Sequence, residues 1–501
     1  MTKETGQNFN SIKGHMARGA IWMVAMRWSL RGVGLINTVI IARLLAPEDF
    51  GVSAMAWIVV EFLMTLTETN VDLALLRSQK FDRARMDTAW TVKVLAGLLT
   101  TVGLLAVAPV AAAYYHDPRI TVVIAIVASR AAIMGFENIG VVEFRQNLEF
   151  SKEYRYWVWR RVIMLGVGLG LAFIFRNYLA LAIAAPLAGV VTVIVSFVMS
   201  SYRPRWCLTH WREMWSFSQW LIIYSSARFV SSRADQFVLG GLAGASATGA
   251  YYVASSIATV PGREIIWPMG RAFTPTLARI VDDEAEMLKA LKGILAIVAL
   301  IALPAGVGLA MVAEDATLVL LGEQWRQSVD FFRWLAICGA LEGFFLAMES
   351  YFIARSRERG YAFFNMAQVA LLVPFVVLAG HFLGTDWIAP ARGLAMAVMV
   401  VAMFGFMARM RWLTMTDALS ACWRPLLASG VMAAAVYLLH QPEISIRFLS
   451  LALDIGVGLV AFALALTALW LIAGRPDGVE RSILTAVSDY LAYRRSREPQ
   501  P

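Results

Sequence analysis

Several arginines of this 501-residue chain lie inside stretches that are otherwise apolar, where a charged side chain is costly. At the centre of a bilayer each would cost roughly 2.5–3.5 kcal/mol on insertion scales, so we expect them to face a water-filled cavity or to pair with other charges. A guanidinium group stays charged and binds phosphate oxygens through two parallel hydrogen bonds. The pattern therefore predicts a cationic cavity suited to a polyanionic group such as a pyrophosphate. The candidate residues are Arg27, Arg31, Arg228, Arg233 and Arg263.

Carboxylates lie in the same stretches and offer a different chemistry, the binding of a proton or a sodium ion. Asp235 lies deep in one stretch, two residues from Arg233. Glu61 shares a helical face with Glu68 and Asp72, which follow it at helical spacing. Asp235 and Glu61 are the candidates for ion coupling. Internal salt bridges are the alternative interpretation, with Asp235 neutralising Arg233 and Glu61 pairing with an arginine of the first stretch. The sequence leaves both interpretations open.

Motifs for catalysis or nucleotide binding are absent from the sequence. It contains no GxxxxGK[ST] phosphate loop, no HExxH and no GxSxG. The three cysteines and five histidines are dispersed without ligand spacing, which predicts neither a disulfide framework nor a metal site. We therefore expect a protein that is not an enzyme, has no cofactor and is not driven directly by ATP.

The apolar stretches are long enough to cross a bilayer, which takes roughly 20 residues for about 30 Å of hydrocarbon. With 59% hydrophobic residues, 16% charged residues and a mean hydropathy of +0.64, the chain is not an ordinary soluble domain. We predict an all-α polytopic membrane protein with about 14 transmembrane helices. The expected spans are 18–44, 49–69, 89–113, 119–141, 156–175, 178–201, 214–242, 247–271, 290–313, 328–354, 360–383, 388–410, 424–440 and 448–473.

Lysine and arginine residues are concentrated at the two termini and in every second link between these spans. Since basic residues near span ends stay on the cytoplasmic side, both termini are predicted to be cytoplasmic, in the inner (plasma) membrane of a bacterium. The polar, basic start leads into a span too long for a cleavable signal, so we expect the first helix to be retained. The net charge of +9 comes from flanking residues and indicates anionic phospholipid as a partner, not nucleic acid.

An internal repeat organises the predicted spans. With an offset of 198 residues, Gly51 falls on Gly249, and the turn 46–51 (APEDFG) falls on 244–249 (GASATG). Two like six-helix halves that flank a site near the membrane midplane are typical of transporters. The predicted domains are a cytoplasmic N-terminus (1–17), a six-helix bundle (18–201), a cytoplasmic linker (202–213), a second six-helix bundle (214–410), an extra helix pair (424–473) and a cytoplasmic amphipathic tail (474–501).

Three segments carry a family resemblance. Residues 20–56 resemble the opening of bacterial polysaccharide-transport (oligosaccharide flippase) proteins, and 40–56 (IIARLLAPEDFGVSAMA) are the most specific part. Residues 75–90 and 233–255 are similar to the same family. This family belongs to the multidrug/oligosaccharidyl-lipid/polysaccharide exporter superfamily. The resemblance covers most of the first 280 residues by sequence, and the remainder by the number of spans.

The resemblance implies two bundles of six helices in a V shape around a central cavity, plus two C-terminal helices. It implies that undecaprenyl-diphosphate-linked oligosaccharide crosses the inner membrane by alternating access, for exopolysaccharide, capsule or O-antigen synthesis. Arginines on cavity-facing helices receive the pyrophosphate in such relatives. By place, Arg27, Arg31, Arg228 and Arg263 match them best. Polysaccharide polymerase components and a coupling H⁺ or Na⁺ are further candidate partners.

Two alternative functions are less consistent with the sequence. A cation-coupled small-molecule (multidrug-type) exporter would have mainly carboxylates in its cavity, and the excess of arginines argues against it. A membrane polysaccharide polymerase or ligase generally needs a sizeable outward loop. The longest predicted outward link runs only from about 314 to 327.

Replacement of both Arg27 and Arg31 with Ala is expected to abolish surface-glycan export without loss of folding or insertion. The two arginines lie one turn apart and share a helical face, so the double variant removes one side of the predicted pyrophosphate site. Surface glycan would be measured in a deletion strain that carries the variant, with membrane-embedded protein quantified in parallel. Wild-type surface glycan in this strain would exclude the role assigned to the two arginines.

Overall fold

The computed structural model describes residues 36–72, 82–147, 149–440 and 447–476, together with the single residues 32, 34, 75, 479 and 481. Within these ranges every regular element is helical, which confirms the predicted all-α class. The chain divides into two compact units, Met1–Tyr252 and Val253–Pro501. The domain bounds drawn from the sequence remain predictions.

The first unit is built from long apolar helices joined by short links. A helical stretch at 36–44 precedes them. They are α1 (Pro47–Thr67), α2 (Arg83–Tyr115), α3 (Arg119–Gly135), α4 (Val142–Gln146), α5 (Phe150–Phe175), α6 (Tyr178–Met199) and α7 (Trp211–Ala258), whose last residues belong to the second unit. The core of this unit packs α1, α2 and α3 around fully buried residues such as Met55, Leu104 and Ile124.

The second unit continues the pattern after a π-helical turn, Gly262–Ile266. Its helices are α8 (Trp267–Ala278), α9 (Glu284–Met311), α10 (Ala313–Leu320), α11 (Val329–Ala354), α12 (Glu358–Leu378), α13 (Ile388–Arg409), α14 (Met415–Leu439) and α15 (Arg447–Ile472). Its core packs α9 against α11 and α13 around Leu295, Ala347 and Met403. Helix α14 packs on α9 and on α15, so the predicted extra helix pair is part of this unit.

Polar side chains set several helix starts, and hence the span ends. Asp82 accepts a hydrogen bond from the backbone N–H of Ala84 at the start of α2, and Asn177 accepts one from Leu179 at the start of α6. At α14, Thr414 and Asp417 form a reciprocal capping box. These contacts satisfy N–H groups that the first helical turn leaves without a partner.

Eleven helices in the described part of the chain are long and apolar enough to cross a membrane. The number is twelve if Arg119–Gly135 and Ile139–Gln146, which are bent by 67°, form one span. The predicted first span, 18–44, lies largely outside the described residues. The predicted seventh span, 214–242, falls within α7, whereas the eighth, 247–271, begins in α7 and continues through the π-helical turn into α8. A multi-pass membrane protein is therefore confirmed, whereas the count of fourteen spans stays a prediction.

Helix α7 is interrupted at Gly244, whose backbone angles (φ 75°, ψ −169°) are not helical. The hydroxyl of Tyr251 donates a hydrogen bond to the carboxylate of Asp235, sixteen residues earlier in the chain. In a straight helix these residues would be about 24 Å apart along the axis. The chain therefore turns back at Gly244, where glycine tolerates a positive φ, and the break separates two helical segments.

Two glycines pack backbone against backbone where α1 meets the second segment of α7. A Cβ atom on Gly51 would lie 1.7 Å from the carbonyl oxygen of Ala245, and one on Gly249 would lie 1.9 Å from that of Pro47. The repeat offset relates Gly51 to Gly249 and Pro47 to Ala245, so each contact maps onto the other. This reciprocity is the pattern of two equivalent turns that meet about a local two-fold axis.

The predicted linker 202–213 is held against the start of α2. Asp87 accepts hydrogen bonds from the Tyr202 hydroxyl and from the backbone N–H of Arg205, the latter at 2.9 Å. The backbone N–H of Cys207 donates to the Thr91 hydroxyl at 3.0 Å. Burial, and then the hydrogen bond to Asp87, raise the pKa of Tyr202, which keeps its hydroxyl a donor at physiological pH. The linker is therefore part of the first unit's packing.

Replacement of Gly51 or Gly249 with Val is expected to destabilise the protein by about 1–3 kcal/mol, the usual cost of overpacking. The new side chain would collide with a carbonyl oxygen, and backbone cannot move aside as a flexible side chain can. Thermal unfolding of the purified protein, followed by size-exclusion chromatography, measures the effect. The matched control is Gly170→Val in α5, where a Cβ atom meets no atom within 4 Å. Equal melting temperatures for all three variants would contradict the packing described.

Candidate functional site

An ion pair within the membrane-spanning helices joins α1 to α7. Nη2 of Arg233 lies 3.2 Å from Oε2 of Glu61, and Nη1 of Arg233 donates to Oε1 of Gln236 at 3.2 Å. The side chains remain 24% and 41% exposed, respectively, so neither is enclosed by the protein. The structure thus joins a predicted substrate-binding arginine to a predicted ion-coupling carboxylate. Beside them the rings of Phe62 and Phe229 are in contact, with centroids 5.5 Å apart.

The other ion-coupling candidate, Asp235, lies in a different environment. It is fully buried and accepts the hydrogen bond from Tyr251 described above. The structure pairs Arg233 with Glu61, and not with Asp235, the neighbour considered in the sequence analysis. Residues two apart on a helix point to different faces, so proximity in sequence was misleading here.

The remaining predicted arginines are only partly covered by the structure. Arg228 is exposed on α7, about one turn before Arg233. Arg27 and Arg31 lie outside the described residues. Arg263 lies in the π-helical turn of the second unit, and its side chain is likewise outside the described part. The structure therefore brings together Arg233 and Glu61, with Arg228 on the same helix as Arg233.

A cavity of about 630 Å³ opens beside Glu61 in the first unit. Its walls come from the end of α1 and the link 68–72, the first half of α2, the end of α3, Arg145 of α4 and Phe229 of α7. Glu61, Glu68 and Asp72 line it, but not on one helical face as predicted, because α1 ends at Thr67 and Glu68 has extended backbone angles. Its volume is within the range of about 300–1,000 Å³ that is usual for sites of small ligands.

Behind one wall of this cavity lies a buried cluster of charges that the sequence analysis did not identify. Glu137, only 6% exposed, accepts from Lys93 Nζ at 2.8 Å and from the Tyr156 hydroxyl, and Arg160 lies 3.5 Å away. Arg130 donates to the backbone oxygen of Ala185 at 3.0 Å. The members come from α2, α3 and α5 and from the link after α3. Because these residues lie far apart in the chain, no short sequence motif marks the cluster.

Charged groups of the second unit are paired as well. Arg392, 7% exposed, lies 3.1 Å from Glu342, and Lys292 lies 2.9 Å from Asp417. Arg333, an intramembrane arginine by its sequence position, instead contacts Asp330 at 3.0 Å at the start of α11. The Arg392–Glu342 pair joins α11 to α13 and the Lys292–Asp417 pair joins α9 to α14, which indicates a structural role.

Three groups of the second unit lie close enough to hold a metal ion. Nδ1 of His440 is 2.8 Å from Oδ2 of Asp454, and one oxygen from each of Asp454 and Asp315 lies within 4.8 Å of the other ligand atoms. The Ser450 hydroxyl donates to Asp315 at 2.9 Å. Hydrogen bonds thus satisfy these groups within the protein, and they tie α15 to α10 and to the end of α14.

Comparison with known proteins gives matches in sequence and in structure. The family described as "Polysaccharide biosynthesis protein" matches residues 40–330. The lipopolysaccharide biosynthesis protein WzxC of Escherichia coli (strain K12) is 21% identical over 382 residues, which are 75% of this chain and 77% of WzxC. The succinoglycan biosynthesis transport protein ExoT of Rhizobium meliloti (strain 1021) is 23% identical over 315 residues, 62% of this chain and 63% of ExoT.

A similar fold is found among solved structures. The lipid II flippase MurJ, in an inward closed conformation, superposes with a TM-score of 0.74 and 12% sequence identity. The match covers 90% of this chain and all of the MurJ chain. At this identity the likeness is one of fold, and it agrees with the all-α polytopic class.

Replacement of Glu137 with Gln is expected to destabilise the protein strongly, whereas Glu61→Gln is expected to have little effect on stability. Loss of Glu137 would leave Lys93 and Arg160 without their buried counter-charge, which costs about 3–5 kcal/mol. Half-exposed pairs such as Arg233–Glu61 contribute roughly 0–1 kcal/mol. Melting temperatures of the two purified variants provide the measurement. If both variants melt together, the distinction between a structural and a functional carboxylate is wrong.

Proposed function

The chain belongs to the polysaccharide biosynthesis protein family, and from this premise we propose that it moves undecaprenyl-diphosphate-linked oligosaccharide across the bacterial inner membrane. It is a multi-pass membrane transporter, not an enzyme. Delivery to the outer leaflet would serve exopolysaccharide, capsule or O-antigen synthesis. The cytoplasmic placement of both termini, with basic flanks on anionic phospholipid, belongs to this proposal.

The observation that carries the proposal is the half-exposed Arg233–Glu61 pair beside a cavity in the first unit. A partly exposed ion pair contributes little to stability, so a stronger partner can replace one member. A pyrophosphate is such a partner, because guanidinium–phosphate bonds are bidentate and charge-assisted. Arg233 would therefore exchange Glu61 for the substrate's pyrophosphate, with Arg228, Arg27, Arg31 and Arg263 as the further candidates for binding it.

The same exchange links substrate binding to an ion. Once Arg233 turns to the pyrophosphate, Glu61 loses its counter-charge in a partly buried place, and a proton or sodium ion can neutralise it. Release of the pyrophosphate on the far side would let Arg233 re-form its pair and expel the ion. Asp235 is the second candidate for the ion, but its burial makes it less accessible than Glu61.

The sugars would occupy hydrated space while the polyprenyl tail stays in lipid, and alternating access would carry the head group across. A cation-coupled small-molecule exporter is the alternative, and the three carboxylates of the cavity are the feature that favours it. Family membership weighs against this alternative, since the matched relatives are named for polysaccharide biosynthesis and transport.

The test is to delete the gene and to measure which leaflet holds the lipid-linked oligosaccharide, with a membrane-impermeant glycan probe on spheroplasts. We expect the deletion strain to accumulate lipid-linked oligosaccharide on the inner leaflet. Wild-type protein should reverse this accumulation, and Arg233→Ala should restore at least tenfold less delivery to the outer leaflet than wild type does. Glu61→Gln should retain substrate binding but lose the response of transport to collapse of the ion gradient.

Arg155→Ala is the matched control, because Arg155 is an exposed arginine of α5 that does not line the cavity. It should restore the wild-type distribution. Normal delivery to the outer leaflet in the deletion strain would refute the proposed substrate. If the strain instead became sensitive to small toxic cations, the exporter alternative would replace it.

A further inference from the structure

We propose that the cavity of the first unit is a binding site for the sugar part of the substrate, and that it selects neutral or amino sugars over acidic ones. This inference rests on the proposed function, because it assigns a part of that substrate to a particular cavity. The cavity lies at the end of α1 and the start of α2, which the charge pattern predicts to be the cytoplasmic side, where the glycolipid enters.

The threonine hydroxyls of the cavity wall act as hydrogen-bond acceptors toward the cavity. The Thr65 hydroxyl donates to the backbone oxygen of Glu61 at 2.8 Å, and that of Thr100 donates to Ala96 at 2.7 Å. The hydroxyls of Thr67 and Thr100 are 2.6 Å apart across α1 and α2. When Thr100 donates to Ala96, Thr67 donates to Thr100, so these protons are used within the wall and the Thr65 and Thr67 oxygens keep lone pairs for a ligand. A ligand rich in O–H or N–H groups, such as a sugar, complements this surface.

The charges of the wall leave a negative excess. Five charged side chains of the described residues line the cavity, and three of these have partners at ion-pair distance elsewhere in the protein. Glu61 pairs with Arg233, Lys93 with Glu137, and Arg145 with Glu153. Within the described part of the chain, Glu68 and Asp72 have no such cation. Acidic sugars would therefore meet like charge, whereas hydroxyl and ammonium groups would meet acceptors.

Apolar groups complete the site. Phe229, Met64 and Met134 line the same space, and the C–H faces of sugar rings can pack on them. The phenyl ring of Phe229 is steadied by its contact with Phe62. A pyranose ring has an apolar C–H face and hydroxyl donors, which complement the apolar side chains and acceptor oxygens of this wall. At about 630 Å³ the cavity admits a short oligosaccharide.

Binding of three soluble trisaccharides to the full-length protein in nanodiscs tests the proposal. The probes are maltotriose, the trimer of glucosamine and the trimer of galacturonic acid, measured by saturation-transfer NMR titration. We expect the first two to bind and the acidic trimer to bind at least tenfold more weakly. Ala96→Phe, which fills the cavity without a change of charge, should weaken maltotriose binding at least tenfold.

Leu99→Phe is the matched control, because Leu99 is a 65% exposed residue of the same helix that does not line the cavity. It should bind maltotriose as wild type does. The double variant Glu68→Gln/Asp72→Asn should bring the affinity for the acidic trimer to within threefold of that for maltotriose, a gain that misfolding cannot produce. Unchanged maltotriose binding in Ala96→Phe, or equal binding of the acidic trimer to wild type, would overturn the proposal.

The leaflet assay separates this inference from the proposed function. A wild-type protein that delivers the glycolipid but binds no neutral trisaccharide would refute the sugar site alone. A wild-type protein that fails to deliver the glycolipid would refute the proposed function, whatever the trisaccharides do.

Discussion

A charge inside the membrane must have a counter-charge or water, and the packing of this protein follows from that constraint. Glu137 gathers Lys93 and Arg160 in the first unit, and Arg392 meets Glu342 in the second. Each of these contacts joins helices that are distant in the chain. Such pairs contribute little net stability compared with apolar packing, but removal of one member is costly. They therefore favour one register of the helices over others.

One ion pair of the first unit differs from these buried pairs, because the protein leaves it partly exposed. Arg233 and Glu61 are paired but half exposed, beside a cavity whose wall carries two further carboxylates. A buried ion pair is costly to break, whereas a partly exposed pair can exchange partners at little cost. The first unit thus contains both buried charges that pair within the protein and a partly exposed pair beside a cavity. The proposed exchange of Arg233 between Glu61 and a pyrophosphate depends on this difference more than on the number of arginines.

Backbone contacts place these charges. Gly51 and Gly249 allow α1 and the second segment of α7 to touch through their main chains, and Gly244 lets α7 turn back. Any larger side chain at the two packed glycines would force the turns apart. The turn brings Tyr251 to Asp235 and leaves Arg233 directed to α1. The reciprocal glycine contacts also show that residues related by the repeat offset of 198 occupy equivalent places in the structure.

The sequence by itself determined the all-α membrane class, the family and most of the span positions, because hydrophobicity along a helix is a local property. It also identified Arg233 and Glu61 as candidates, since a charge in an apolar run is visible without coordinates. Only the tertiary structure decided that these two residues pair, that Asp235 bonds to Tyr251, and that Glu137 anchors a cluster. Those partners lie on other helices or beyond a turn, and side-chain direction depends on helix rotation and packing, which sequence spacing does not encode.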